Sequence, residues 1–203
     1  MKKRLFLLAI ISILSLQFSV SRAQGRFDAT LYAGANFCQL DGDQAGSYSH
    51  VGLRAGIGTS FALASDADNP WRMVVELAFT NKGSYNKDYN TTLSVSYIEL
   101  PLLLSYNAMQ NRLRIAAGVA PAVKVSESFT DGYPGDNIFT AVDWLPLTLS
   151  VRYRFTDHLG IEARFQYSAL SVTNDNSNGT YFLLRSNKGC FHNLAGLGLT
   201  YTF

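Results

Sequence analysis

The sequence predicts an all-β protein: an eight-stranded, antiparallel, up-and-down transmembrane β-barrel that follows a cleaved signal peptide. Three observations lead to this prediction. Apolar residues alternate with small or polar ones in eight segments, and clusters of Asn, Asp, Gly and Ser separate these segments. The chain begins with a short basic and apolar stretch. It ends in an alternating stretch, LGLTYTF, whose last residue is aromatic.

The first 23 residues have the plan of a secretory signal peptide. Three basic residues at positions 2–4 precede an apolar run at 5–20, and SRA at 21–23 offers small residues before a cleavage site after Ala23. A membrane anchor is the competing interpretation, but the run is shorter than the ~20 residues that a spanning helix needs. We therefore predict a signal peptide at residues 1–23 and a single barrel domain at 24–203.

The net charge of the chain does not indicate nucleic-acid binding. Four of the 17 Lys and Arg residues lie in the predicted signal peptide, so 13 remain against 15 Asp and Glu, a net charge of −2. Nucleic-acid-binding domains carry a clear basic excess instead. The chain also has no His/Cys spacing for zinc and no Gly-rich phosphate loop. No cofactor, no metal site and no nucleic-acid partner are predicted.

The strands alternate with connections of two lengths. The predicted strands cover roughly residues 26–38, 50–64, 71–84, 92–107, 111–127, 139–155, 159–171 and 189–203. The connections at 65–70, 108–110 and 156–158 are short, and those at 39–49, 85–91, 128–138 and 172–188 are longer and polar. Bacterial transmembrane barrels have an even strand number, short periplasmic turns and longer outer loops. This alternation predicts that both termini are periplasmic.

The two faces of each strand differ in residue size. At residues 71–79, 145–155, 159–167 and 195–203 of strands three, six, seven and eight, the odd positions are large aliphatic or aromatic residues except for Ala163 and Ala195. At residues 113–125 of strand five, the odd positions are Leu, Ile, Ala or Val apart from Pro121. In strand four the even positions take this role. The opposite faces carry Gly, Ala, Ser, Thr and a few long charged side chains. A soluble lipocalin-like barrel has the same alternation, but small polar residues suit the narrow interior of eight strands and bulky apolar ones suit lipid. We therefore predict a barrel in the bacterial outer membrane.

The inward face predicts buried charges. Arg152 falls opposite Glu162 across the short turn at 156–158. A conduction path or proton relay is one interpretation, and ion pairs that fill the barrel are the other. The second is favoured, because eight strands leave room for little beyond side chains. The predicted inward charges are Asp28, Arg54, Glu76, Glu99, Arg114, Arg152, Glu162 and Arg164.

Residues 97–106, YIELPLLLSY, carry the most specific motif of the chain. Tyr97 and Glu99 face inward because the large apolar residues of this strand occupy its even positions. Pro101 should interrupt the hydrogen-bond ladder because it has no N–H to donate. This block resembles the Y-[IL]-E-[IL]-P-L-L-L-x-Y signature of the PorT-like outer-membrane β-barrel family. The segments GANF (34–37), QLDGD (39–43) and GLRAG (52–56) agree with the family, and so does the closing strand at 198–203, so the resemblance spans nearly the whole mature chain.

The resemblance implies an eight-stranded outer-membrane barrel without a catalytic motif. The founding member of the family is linked to protein export by the type IX secretion system of Gram-negative bacteria. It therefore implies a non-enzymatic, structural or interaction role, with secretion-system subunits as the finer expectation for partners. We expect a monomer surrounded by outer-membrane lipid.

The last strand resembles the carboxyl-terminal signal by which outer-membrane barrels are recognised for insertion. The residues that carry this resemblance are Gly198, Tyr201 and Phe203. It implies the barrel-assembly machinery as a partner during insertion. Aromatic residues near the same strand ends predict a membrane-interface girdle. They are Trp71, Tyr106, Phe155, Tyr201 and Phe203.

The two cysteines suggest a disulfide. Cys38 ends the first predicted strand and Cys190 begins the last, and these strands are neighbours in a closed barrel. We state a Cys38–Cys190 bond as a hypothesis, and two unlinked thiols as the alternative.

The three histidines leave one enzymatic alternative open, an outer-leaflet lipid-modifying enzyme. Its Ser/His/acid site would lie on the outward surface. His192 falls inward, His158 lies in a turn, and His50 begins a strand. The sequence places no Ser and no carboxylate clearly together with any of these histidines. We therefore predict that the protein is not an enzyme.

Overall fold

Eight strands close into one barrel in the computed structural model. The structure describes residues 27–43, 45, 48–63, 69–130, 138–174, 179–181 and 188–203, so the predicted signal peptide lies outside the described residues. In this described part of the chain, no helix is long and apolar enough to cross a membrane.

The eight predicted strands are all present, and their ends shift by a few residues. Each strand pairs antiparallel with the next, and β8 pairs with β1, which closes the barrel. A two-residue ladder of Thr180–Tyr181 and Lys188–Gly189 precedes β8. The strands are β1 (Phe27–Asp41), β2 (His50–Ala62), β3 (Trp71–Asn86), β4 (Thr91–Glu99 and Leu102–Ala108), β5 (Leu113–Val119 and Ala122–Phe129), β6 (Val142–Asp143 and Pro146–Arg154), β7 (Leu159–Ser168) and β8 (Phe191–Thr202).

The barrel has two distinct ends. The terminal end holds Phe27, Phe203 and the connections that follow β2, β4 and β6. The loop end holds the connections that follow β1, β3, β5 and β7, and those after β5 and β7 are the longest of the barrel.

The long connection predicted at 85–91 is wrong: β3 and β4 extend into it and leave only residues 87–90. The first strand is longer than the alternation predicts. It continues through Asp41 because residues 39–41 pair with residues 191–193 of β8.

The strands are strongly tilted around the barrel. Following paired residues once around the wall from Phe27 leads to Phe37, ten residues further along the same strand. A stagger of this kind requires strands inclined at roughly 35–45° to the axis. The path runs through Phe61, Met73, Leu104, Ala117, Leu149, Phe165 and Ala195.

Three prolines interrupt three neighbouring strands at one level. The interruption expected at Pro101 in β4 is present, and Pro121 in β5 and Pro146 in β6 lie beside it. Their carbonyls still accept hydrogen bonds, at 3.0 Å from Glu76 N for Pro101 and at 2.9 Å for the other two. Because a proline has no N–H, each strand loses one ladder donor at this level.

A β-bulge in β5 reverses the facing of the residues beyond it. Tyr97 pairs with Lys124, but Ser96 pairs with Ser126, so Val125 is the extra residue. The strict alternation of the sequence places Ser126 inward, and this is wrong: Ser126 is exposed. Phe129 instead packs against the buried cluster inside the loop end.

The outward face is apolar, as residue size predicts. Leu199 is 65% exposed, whereas its neighbour Thr200 is 2% exposed. At the terminal end, the rings of Trp71 and Tyr106 meet edge to face at 5.2 Å, and those of Tyr201 and Phe203 at 5.0 Å. An aromatic girdle therefore marks this end of the apolar band.

Candidate functional site: a filled and charged lumen

Small residues make room for the large ones inside the barrel. A Cβ atom on Gly56 would lie 2.6 Å from the hydroxyl oxygen of Tyr32, and one on Gly58 would lie 2.8 Å from Cγ of Glu76. These two glycines of β2 therefore allow Tyr32 and Glu76 to cross the lumen. The sequence pattern of small inward residues has this physical cause.

A network of five charged residues fills the middle of the lumen. Glu162 on β7 accepts hydrogen bonds from Arg54 at 2.6 Å, from Arg164 at 3.0 Å and from Arg152. Glu76 on β3 accepts from Arg164 at 2.6 Å and from Arg152 at 3.2 Å. All five residues are buried. The pairing of Arg152 with Glu162 is the one that the register of the sequence predicts.

Tyr32 completes this central network. Its hydroxyl donates to Oε2 of Glu76 at 3.1 Å. The guanidinium carbon of Arg54 lies 4.8 Å from the centre of its ring, and that of Arg164 lies 5.5 Å away. Three arginines face two glutamates, so the aromatic ring offers its negative face to the excess positive charge.

A second charged group lies towards the terminal end. Asp28 accepts from Arg114 at 3.0 Å and lies 3.4 Å from Arg72. Nε of Arg114 also donates to Asn107 at 2.9 Å. Asp28 keeps about a third of its side chain exposed, so this group lies at the mouth of the lumen.

A third charged group lies on the loop side of the central network. Lys82 on β3 is 2.8 Å from Glu99 and 3.8 Å from Asp143. Ser168 donates to Asp143 at 2.5 Å, and Gln166 donates to Glu99 at 3.5 Å. Glu99 of the 97–106 motif thus has Lys82 as a buried partner.

Lys82 and Asp143 were missed for different reasons. The even position of Lys82 in β3 is inward by parity, so the signal existed in the sequence. Asp143 has an odd number in a strand whose other odd positions face outward. The pairing of β5 with β6 shifts by one residue between Leu147 and Asp143, which turns Asp143 inward. No local signal in the sequence reveals that shift.

An apolar cluster, here called the plug, lies inside the loop end of the lumen. Phe139 and Val172 come from the connections after β5 and β7, and both are fully buried. Phe139 pairs with Thr173 in a β-bridge, and Thr140 N donates to the carbonyl of Val172 at 2.8 Å. The buried members of the plug are Leu40, Leu93, Val95, Tyr97, Ala122, Phe139 and Val172.

The plug and the 97–106 motif meet at His192. The hydroxyl of Tyr97 is 3.2 Å from Nε2 of His192, and Phe139 stacks on the imidazole ring at 5.3 Å. Tyr97 therefore joins the wall of the barrel to the strand that closes it. Beneath it, Nζ of Lys82 lies 5.2 Å from the centre of the Tyr97 ring.

No disulfide joins the two cysteines in the structure. Cys38 is buried, and its sulfur lies 3.9 Å from the carbonyl of Asn81. Cys38 pairs with Leu194, whereas Cys190 precedes Phe191, the partner of Asp41. Four ladder positions, about 13 Å, therefore separate the two cysteines along the seam. Disulfides need Cα atoms within about 7 Å of each other.

The histidines contact amide, carbonyl and phenol groups. Nε2 of His50 donates to Oδ1 of Asn81 at 3.1 Å, and Nδ1 of His158 donates to the carbonyl of Thr202 at 2.8 Å. The partner of His192 is Tyr97. Among the described residues, no group of three His, Cys, Asp or Glu side chains is placed to hold a metal ion.

Comparison with known proteins agrees with this architecture. The family described as "Outer membrane protein beta-barrel domain" matches residues 17–175. The chain belongs to this family of outer-membrane β-barrels. No curated protein sequence matches the chain.

Several solved outer-membrane barrels have a similar arrangement of strands. Ail, the attachment invasion locus protein of Yersinia pestis, is 11% identical to this chain. The alignment covers 88% of this chain and 99% of the Ail chain, with a TM-score of 0.49. Neisserial surface protein A has 16% identity, with 88% and 97% covered and a TM-score of 0.46. AlkL has 14% identity, with 88% and 91% covered and a TM-score of 0.39.

The location of this outer-membrane barrel follows from its family, and the roles of its two faces follow from its construction. The apolar outward face meets lipid, because a bilayer leaves no other solvent for it. The inward face holds three charged groups and, at the loop end, an apolar plug.

Proposed function

We propose that this outer-membrane barrel is a non-conducting, non-enzymatic protein that acts through protein contacts at its ends. The observation that carries the proposal is the filling of the lumen. The central Arg and Glu side chains are buried, and an apolar plug lies above them. An eight-stranded barrel filled in this way offers no water-filled path.

The proposed orientation places the terminal end in the periplasm. The four-residue turns after β4 and β6 lie at the same end as Phe27 and Phe203, and the two longest connections, after β5 and β7, lie at the other end. Bacterial outer-membrane barrels have short periplasmic turns and long outer loops. In this orientation the plug closes the lumen from outside the cell, and the aromatic girdle meets the inner leaflet.

We further propose a PorT-like role as an accessory of type IX protein secretion in a Gram-negative bacterium. The support is the motif at 97–106. Tyr97 and Glu99 hold Lys82 and His192 inside the barrel, and Pro101 interrupts the wall beside them. The motif residues thus have structural positions inside the barrel and leave the surfaces at the ends to partners.

Measuring ion conductance tests the closed lumen. The folded protein is reconstituted into planar bilayers, and a porin is reconstituted in parallel as the positive control. We expect the porin to give discrete current steps and this barrel to give none. A stable open current from the barrel would contradict the proposal, because a filled lumen cannot carry one.

Deleting the gene in its native host tests the secretion role. The culture medium and cell surface are compared for proteins exported by the type IX route, with and without a plasmid copy of the gene. We expect loss of these proteins in the deletion strain and recovery with the plasmid. Unchanged export would end the secretion role while leaving the interaction role to other partners.

A further inference from the structure

The turn between β4 and β5 at the terminal end has an unusual backbone. Met109, Gln110 and Asn111 have φ angles of 50°, 54° and 66°, three consecutive non-glycine residues in the left-handed region. Ala108 pairs with Leu113, and Arg112 N donates to the carbonyl of Met109 at 3.1 Å. Gln110 and Asn111 are therefore the two central residues of a tight hairpin turn.

Two of these three residues are poorly suited to their positions. Tight hairpin turns with two left-handed residues strongly prefer Asn-Gly or Asp-Gly. Asn111 tolerates the left-handed region, but Met109 and Gln110 have larger side chains for which it is unfavourable. Met109 also lies before the two central residues, where a hairpin does not require this conformation. The turn is strained at two positions where glycine would relieve it.

Neighbouring side chains hold the strained turn in place. Arg154 at the end of β6 donates to the carbonyl of Asn111 through Nε at 3.1 Å and through Nη2 at 2.6 Å. The side chain of Asn107 donates to that of Asn111 at 3.1 Å. Strain that surrounding contacts enforce in this way is typical of sites with a function.

The strained turn carries one exposed apolar side chain, and two arginines lie in it or against it. Met109 is 64% exposed, and the three residues after it are exposed as well. Arg112 has no carboxylate partner in the part of the chain that the structure describes. The guanidinium of Arg154 donates hydrogen bonds to a backbone carbonyl. Asp28, a carboxylate of the same end, is already shared by Arg72 and Arg114.

We propose that the Met109–Arg112 turn is a docking surface for an acidic protein partner at the terminal end of the barrel. Met109 would enter a small apolar recess of the partner, and carboxylates around that recess would pair with Arg112 and Arg154. The inference rests on the proposed interaction role and names its surface. Methionine suits such a contact because its flexible thioether adapts to the shape of the recess.

The position of the turn favours a protein over lipid. Tyr106 pairs with Trp71 in the aromatic girdle, and Met109 follows three residues beyond it. Girdle aromatics lie at the headgroup level, so the turn projects past the membrane surface. A lipid headgroup contact is therefore the competing outcome of the test.

Two glycine variants separate strain from docking. Met109→Gly relieves strain and removes the apolar side chain, whereas Gln110→Gly relieves strain and keeps it. We expect both variants to raise the midpoint of urea unfolding in lipid vesicles relative to the wild type. If neither midpoint rises, the backbone is not strained and the inference fails.

Site-specific photo-crosslinking in living cells tests the partner. A photoreactive amino acid replaces Met109, and matched positions are Asp157 in the next turn and Tyr89 at the loop end. We expect a single protein adduct from position 109, identified by mass spectrometry and absent at 157. The adduct should persist in the Gln110→Gly background and fall at least tenfold in the Arg112→Glu background.

The outcomes distinguish the surface from the function. Lipid adducts alone at position 109, or a protein adduct that is insensitive to Arg112→Glu, would overturn the docking surface. A protein adduct only at Tyr89 would also overturn it while keeping the proposed interaction role. The absence of protein adducts at all three positions would count against both.

Discussion

Glu162 is the residue on which the central network depends most. Its two carboxylate oxygens accept from three guanidinium groups, and its side chain is fully buried. A buried ion pair adds little stability compared with apolar residues of the same size, because both charges lose their hydration. Removing one partner is different, since the remaining charges stay buried without compensation.

Replacing Glu162 by Gln should therefore destabilise the barrel strongly. The change leaves Glu76 as the central carboxylate that faces three arginines, so we expect a loss of about 3 kcal/mol in the free energy of unfolding. Urea unfolding in lipid vesicles, followed by the heat-dependent shift in gel mobility, measures this loss. Asp157→Asn, which removes a carboxylate from an exposed turn, is the control and should change stability by less than about 0.5 kcal/mol. Equal effects of the two variants would contradict the role given to Glu162.

The seam between β1 and β8, where the barrel closes, depends on two paired glycines. Gly34 lies opposite Gly198, the first residue of the predicted insertion signal. A Cβ atom on Gly34 would lie 2.5 Å from Cα of Gly198 and 2.9 Å from the carbonyl carbon of Leu197. These are backbone atoms, so they cannot move aside as a flexible side chain can. The close approach of the two strands requires glycine here.

Gly34→Ala should weaken the closure of the barrel. We expect a destabilisation of about 1–3 kcal/mol, the usual effect of forcing extra atoms into a packed site, and a smaller folded fraction after refolding into vesicles. Ala33→Val is the matched control: it adds atoms one residue away, on the exposed face towards lipid. Refolding yields of the two variants that agree within error would show that the seam tolerates a side chain at residue 34.

The strands could be predicted because each carries its own periodicity, and the irregularities could not. Odd positions 145–155 are all large and apolar, so β6 was recognisable from a short window. The row formed by Pro101, Pro121 and Pro146 depends on the register between three strands. The bulge at Val125 depends on the partner strand β4 as well. Local patterns contain no information on such offsets until the strands are paired.

The candidate site could be predicted from the sequence where the alternation of odd and even positions alone determines which side chains face the lumen. Arg54, Glu76 and Glu162 were assigned to the lumen because each lies on the small-residue face of its strand. The plug was not anticipated, because Phe139 and Val172 come from segments predicted to be a loop or a strand end. Their burial depends on a bridge between residues 139 and 173 that no local sequence signal indicates.

The proposed non-conducting barrel has two seals of different chemistry in series. The charged side chains of the central network would form one, and the apolar side chains of the plug at the loop end would form the other. The third charged group, with Lys82, lies between them. Ion flow needs a continuous hydrated path, so either seal suffices to stop it. Removing only the apolar cluster, or only the ion pairs, would therefore not open a pore.

Opening both seals should be required before the barrel conducts ions. Phe139→Ala removes the ring that stacks on His192, and Arg164→Ala leaves two arginines against two glutamates, so no carboxylate is stranded. We expect no current in planar bilayers from either single variant, and small discrete steps from the double variant. Phe79→Ala, on the lipid face, controls for loss of a large ring and should stay silent in both backgrounds. A current from Phe139→Ala alone that equals the current of the double variant would show that the charged network is not a seal, because water would then already pass between its side chains.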